Sequence, residues 1–174
     1  MGIWDVVPDD ERERWELDPF ARVGPLRFGM SPDETTAALG GVRPNPYQGA
    51  SYREMTIGWF SELGLTLYHR PGQGLDGISV NARIGPQVVA EGVPLVGRAP
   101  SELEQWLAGR AECREPYTEV VCLPGAELAS LTLGVVVCVQ RAGDRLLTRP
   151  VFLPADAMDD VYHRLPREAW AISG

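Results

Sequence analysis

The feature that most constrains this fold is a pattern of helix punctuation that occurs twice. Residues 28–41 read FGMSPDETTAALGG and residues 96–109 read VGRAPSELEQWLAG. A shift of 68 positions aligns Gly29 with Gly97, Pro32 with Pro100, Glu34 with Glu102, Leu39 with Leu107 and Gly41 with Gly109. In the first copy Ser31 is a strong N-cap, Pro32 suits the first helical position, and Glu34 falls three residues after the cap, completing a capping box. Gly40-Gly41 can take the left-handed conformation that ends a helix. In the second copy Leu103, Trp106 and Leu107 form an apolar stripe, with Gly109 as the stop. Helices this short must be held by packing.

Each helix is followed by strand-like runs. After the first come 51–60 SYREMTIGWF, 63–70 LGLTLYHR and 75–82 LDGISVNA; after the second come 118–123 TEVVCL, 131–140 LTLGVVVCVQ and 145–153 RLLTRPVFL. Leu63-Gly64 followed by Arg70-Pro71-Gly72 recurs as Leu133-Gly134 followed by Arg141-Ala142-Gly143. Residues 86–97 read as a strand, a tight Glu91-Gly92 turn and a second strand, serving as linker and sheet edge. The pattern predicts an α+β fold of two tandem repeats, each a short helix followed by antiparallel strands, with an added C-terminal helix. The expected divisions are an N-terminal segment (1–19), a first repeat (20–90), a second repeat (91–154), and a C-terminal helix and tail (155–174). Residues 8–17 read as a short helix with an acidic first turn, and residues 155–165 as a helix burying Met158, Val161, Tyr162 and Leu165. With 174 residues, 44% of them hydrophobic, the chain can bury a sizeable core.

This order resembles the β-lactamase inhibitor protein of soil actinomycetes and the related small-lipoprotein fold of the outer-membrane assembly machinery. Gly29-Met30-Ser31 with Glu34 matches the GMS-x-x-E type turn that introduces the unit, while Gly97-Arg98-Ala99 with Glu102 departs from it at two of the four positions. The resemblance covers roughly residues 20–154 and implies a tandem helix-plus-sheet fold. It also implies a disulfide between Cys113 and Cys122, which sit after a helix and in the next strand; the first repeat has no such pair.

Charge and composition narrow the function. Sixteen Lys and Arg against 24 Asp and Glu leave a net charge of −8, which disfavours phosphate backbones and anionic membranes and favours a basic protein partner or none. No window has the apolar length of a membrane span, the first residues lack a basic n-region, and Val6 stands where a myristoylation signal has Ser or Thr, so the reading is cytoplasmic. The three cysteines lack C-x-x-C spacing and read as reduced and buried, and with two histidines they give little support to zinc. Gly72 to Gly77 match G-x-G-x-x-G, yet a strand follows instead of a helix, which marks a hairpin loop. Asp156, Asp160 and His163 fall at i, i+4, i+7, where they complement a helix dipole more simply than they hold a metal. His69 alternates in phase with Leu65 and Leu67, on the core side. No catalytic residue, metal or cofactor is assigned.

Strand alternation then sorts residues onto faces. Met55, Ile57, Trp59, Leu65, Leu67, Ile78, Val80 and Ala82 are expected to form one apolar face. The opposite face would carry Tyr52, Glu54, Thr56, Thr66, Tyr68, Arg70, Ser79 and Asn81, a mixed aromatic and polar surface suited to partner binding. Residues 135–139 are apolar on both faces, so the C-terminal helix, or the N-terminal segment with Ile3, Trp4, Val6 and Val7, is expected to cover the second side. That leaves the open surface on the first repeat, unlike the shared concave face of the inhibitor family. The expected function is non-enzymatic protein binding by an inhibitor or immunity-type protein that occludes a partner. The alternatives are a small enzyme using a Cys or His between the repeats, or a structural subunit of a larger assembly.

Overall fold

The structure, a computed structural model, describes residues 2–45, 55–113, 119–123 and 127–173. Its elements in chain order are β1 (Arg14–Asp18), β2 (Arg22–Val23), β3 (Leu26–Arg27), α1 (Pro32–Ala38), β4 (Thr56–Phe60), β5 (Leu65–Arg70), β6 (Gly74–Val80), β7 (Gln87–Ala90), β8 (Val93–Pro94), α2 (Pro100–Glu112), β9 (Val120–Cys122), β10 (Leu128–Ser130), β11 (Val135–Ala142), β12 (Arg145–Phe152) and α3 (Val161–Arg164). The class is α+β. Strands β4-β5-β6-β12-β11-β10-β9 form one antiparallel sheet, and β3-β2-β1-β7-β8 form a smaller sheet in which β1 and β7 run parallel. No described helix is long and apolar enough to cross a membrane.

Helix α1 begins as its sequence dictates: the Ser31 side chain accepts from the Glu34 amide, and the Glu34 carboxylate accepts from the Ser31 amide. Helix α2 does not stop at Gly109. It continues to Glu112 because Ala111 extends the buried stripe of Leu103 and Leu107 by another turn, which outweighs the weak helix preference of one glycine. The acidic stretch at 8–17 is not a helix either. Asp9–Glu11 make one 3-10 turn, and Arg14–Asp18 extend as β1 so that Trp15, 5% exposed, can enter the core beside β7. The turn at Glu91-Gly92 joins β7 to β8 as expected, with φ of 52° and 80°.

The large sheet is apolar on both faces. On one face Leu65, Leu67, Ile78, Val80, Val135, Val137 and Phe152 pack with Trp15 and Val88 from the small sheet, Leu95 just after it, and Leu103 and Leu107 from α2. On the other, Ile57, Tyr68, Val136, Cys138 and Val151 pack under the C-terminal segment through Ala157, Val161, Leu165, Ala169 and Trp170. That segment is not one helix. It is a 3-10 turn at Ala155–Asp159, the short α3 and a second 3-10 turn at Arg167–Ala169, and Tyr162 is 37% exposed rather than buried. Non-helical backbone at Asp160 and extended backbone at Leu165 break the helix, which lets the segment follow the sheet across both halves of the chain.

Each half places a helix ahead of an antiparallel meander. Phe60 faces Leu65 across a turn ending at Gly64, as Ser130 faces Val135 across a turn ending at Gly134, and the glycine φ angles are 65° and 64°. The halves meet where β6 pairs with β12, Ser79 opposite Val151 and Ile78 opposite Phe152. They are not matched element for element, since β9 adds a strand in the second half and α2 outruns α1.

A buried carboxylate fastens the C-terminal segment. Asp76, 3% exposed, accepts from Arg70 Nε at 3.0 Å and from Arg164 Nε and Nη2 at 2.8 and 2.6 Å, while Arg70 Nη2 donates to the Arg164 carbonyl at 2.8 Å. Asp76→Ala would leave two guanidiniums without their shared partner, a loss on the order of 3 kcal/mol. Urea denaturation is expected to show that loss, with faster proteolysis at 155–173; an unchanged midpoint would show that the pair does not fasten the segment.

Candidate functional site

The connection at Ser61–Gly64 sets the register of the first hairpin, and that register moves β4 by one residue relative to the sequence reading. Ile57 faces Tyr68, Trp59 faces Thr66, and Thr66 faces Ser79. Cross-strand partners share a face, so Ile57 and Trp59 lie on the polar face instead of the core face. Thr56 faces His69 and lies on the opposite side, toward α1. Tyr52 and Glu54 lie outside the described residues.

Four residues nominated from sequence, Thr66, Tyr68, Ser79 and Asn81, converge with Ile57 and Trp59 on a cavity of about 470 Å³. Gln140 of β11 and Arg149 of β12 complete its lining, with Glu168 and Ser173 from the C-terminal segment. Arg70 is not in this group; it is committed to Asp76. The surface is less open than predicted, because the C-terminal segment covers the first half as well as the second. Tyr68 is 5% and Ser79 4% exposed, whereas Trp59 keeps 41% of its surface. Burial pushes the Tyr68 hydroxyl up to about 12 against the opposing pull of Arg149, so it stays protonated near neutrality.

Arg149 dominates the electrostatics. Nη1 donates to Ser79 Oγ at 2.8 Å, and Nη2 donates to the Ala169 and Ala171 carbonyls at 3.0 and 2.8 Å. Its Nε is buried without a hydrogen-bond partner, and no described carboxylate pairs with the guanidinium. The amides beside it are oriented by the backbone. Asn81 Oδ1 accepts from the Arg83 and Ile84 amides, and Gln140 Oε1 accepts from the Ala82 amide. Sequence reading missed Gln140 and Arg149, although a signal was there: Gln140 directly follows the apolar run 135–139 and Arg149 is followed by the apolar run 150–153, where an amide or charged side chain needs a reason.

The remaining chemical groups are less suited to a site. Cys138 is buried and its thiol is pushed up to about 12, chiefly by burial, which withholds the thiolate. Cys113 and Cys122 are free thiols and exposed, contrary to the expectation that all cysteines are buried. Asp160 bonds His163 Nδ1 at 2.9 Å, but Asp156 bonds Arg164 at 2.8 Å, and no metal-binding cluster occurs among the described residues. The glycines at 72–77 form the β5–β6 loop and the start of β6, as expected. A second cavity, about 420 Å³ beside Trp15 and Leu63, has a buried Trp15 Nε1 without a partner; Glu11, Glu13 and Glu62 line it, and its Arg12 is engaged by four backbone carbonyls.

His69 is on the α1 side of the sheet, 6% exposed, with Nε2 3.5 Å from Thr35 Oγ1. Burial lowers its pKa from 6.5 to about 4. Between those values the unfolded chain binds a proton that the folded chain does not, so folding stability falls as pH drops through this window and rises again toward neutrality. Denaturation midpoints at pH 7 and pH 5 are expected to differ more for wild type than for His69→Gln; equal differences would show that His69 makes no contribution. No known protein family, curated protein or solved structure matches the chain.

Proposed function

We propose that the chain is a cytoplasmic protein-binding domain that docks a partner on the Trp59 face and acts by occupying the partner's surface, as an inhibitor or immunity protein does. One observation carries the reading. A large aromatic side chain, 41% exposed, stands on the outermost described strand of the large sheet and lines a preformed cavity together with polar side chains. Exposed tryptophans beside pockets are the usual anchors of interfaces, because they bury a large area at little entropic cost. The two buried groups with enzymatic potential, the Cys138 thiol and the His69 imidazole, favour binding over chemistry, since burial withholds the thiolate of one and the charged form of the other near neutral pH. The net charge of −8 steers the domain toward a basic surface and raises association rate more than affinity.

Trp59→Ala is expected to leave thermal stability within about 1 kcal/mol of wild type while weakening partner capture by on the order of 2 kcal/mol. Tyr68→Ala tests the opposite property: as a buried ring it is expected to cost about 3 to 5 kcal/mol of folding stability. Quantitative affinity capture from cells that express the protein, with wild type, Trp59→Ala and the exposed control Leu146→Ala, reads the first effect; thermal melts read the second. Equal recovery of the same protein by all three baits would remove the Trp59 face as the binding site.

A further inference from the structure

The charge arrangement around Arg149 says what this cavity receives. The other deeply seated guanidiniums Arg12, Arg70, Arg110 and Arg164 each have an acidic neighbour. Arg12 lies 3.7 Å from Asp9, Arg70 and Arg164 share Asp76, and Arg110 pairs with Glu91 and Glu119. Arg149, 7% exposed, has only neutral acceptors: one hydroxyl and two carbonyls. A buried cation with neutral contacts carries a desolvation cost that a counter-anion would offset.

Glu168 is the one carboxylate in the lining and forms no ion pair with Arg149; the other polar side chains offer hydrogen-bond donors. The acceptor oxygens of Asn81 and Gln140 are taken by backbone amides, leaving their amide nitrogens to donate. Ser79 Oγ already accepts from Arg149, which leaves its proton available, and the Tyr68 phenol stays protonated. One guanidinium matches one negative charge better than a dianion, and with Nη2 committed to the Ala169 and Ala171 carbonyls the N–H groups left to an anion are on Nη1 and Nε. The Trp59 ring lies on the same cavity and supplies an apolar wall for what the anion is attached to.

We infer that this cavity binds a carboxylate attached to an apolar or aromatic body, held by Arg149 with donors from Ser79, Asn81 and Gln140. The inference rests on the binding reading above and names the chemistry of that same site. The carboxylate comes either from an acidic side chain of the protein partner or from a free organic acid.

Benzoate and its neutral counterpart benzamide are the probes, with inorganic phosphate as a third, each titrated by calorimetry and followed by thermal shift. Benzoate is expected to bind wild type at least about tenfold tighter than benzamide or phosphate, a margin equal to one strong charge-assisted contact. Arg149→Met removes the charge but also the anchor of the C-terminal segment, so a folded second variant is needed. Asn81→Asp keeps the oxygen that accepts from the Arg83 and Ile84 amides while replacing a donor with a negative charge, and it is expected to weaken benzoate at least about tenfold with the melting temperature retained. Equal binding of benzoate and benzamide, no benzoate binding at ~10 mM, or an unchanged affinity in Asn81→Asp would overturn the inference.

Competition separates the sources and the two readings. Benzoate that binds and displaces the captured protein identifies a partner carboxylate; benzoate that binds without displacing any captured protein identifies a free acid. A partner captured through Trp59 while benzoate does not bind sinks the carboxylate inference alone. Benzoate bound with no protein captured sinks the protein-docking reading alone.

Discussion

A sheet that is apolar on both faces has to be covered twice, and the second cover determines the surface this molecule presents. The first cover, from the small sheet and α2, is a continuous hydrophobic layer. The second is a broken C-terminal segment held by a few strong polar contacts: Asp76 to Arg164, and Arg149 to the carbonyls of Ala169 and Ala171. Gly77 shows how closely it packs, because a Cβ there would meet Leu165 Cδ1 at 2.8 Å. Where this cover reaches, Tyr68 and Ser79 are interior residues. The cavity bordered by Trp59, Glu168 and Ser173 lies beside it on the same face.

Legibility in the sequence follows the range of the interaction that decides each feature. The capping box of Ser31 and Glu34, the Glu91-Gly92 turn and the order of strands β4, β5 and β6 are set by contacts a few residues apart, and they read correctly. The end of α2 and the extended conformation of β1 depend on packing against β-strands distant in sequence, which overrides the local signals of Gly109 and of the acidic run at 8–17. The face of β4 is the instructive case. Alternation alone is symmetrical, so the face depends on register, and register depends on the conformation of Ser61–Gly64; a one-residue difference exchanged Thr56 for Ile57 and Trp59.

The site was half visible for the same reason. Thr66, Tyr68, Ser79 and Asn81 come from adjacent strands of one meander, and their grouping required only alternation. Gln140 and Arg149 come from the second half and reach the cavity because β12 pairs with β6, a contact between residues about 70 positions apart that no local pattern encodes. Those two residues change the character of the site from a mixed surface to a donor-rich pocket.

The negative net charge and the buried Arg149 cation act at different distances. The −8 charge is spread over the surface and acts over roughly a Debye length of about 10 Å, so it attracts basic surfaces and is weakened by salt. The Arg149 charge is buried, is little screened, and acts only on a group that has entered the cavity. A partner with a basic surface and one acidic side chain at its centre would satisfy both fields, whereas a uniformly acidic partner would be repelled before its carboxylate could reach the guanidinium. Selectivity would therefore come from the order of events: the long-range field filters what approaches, and the buried cation tests what is inserted.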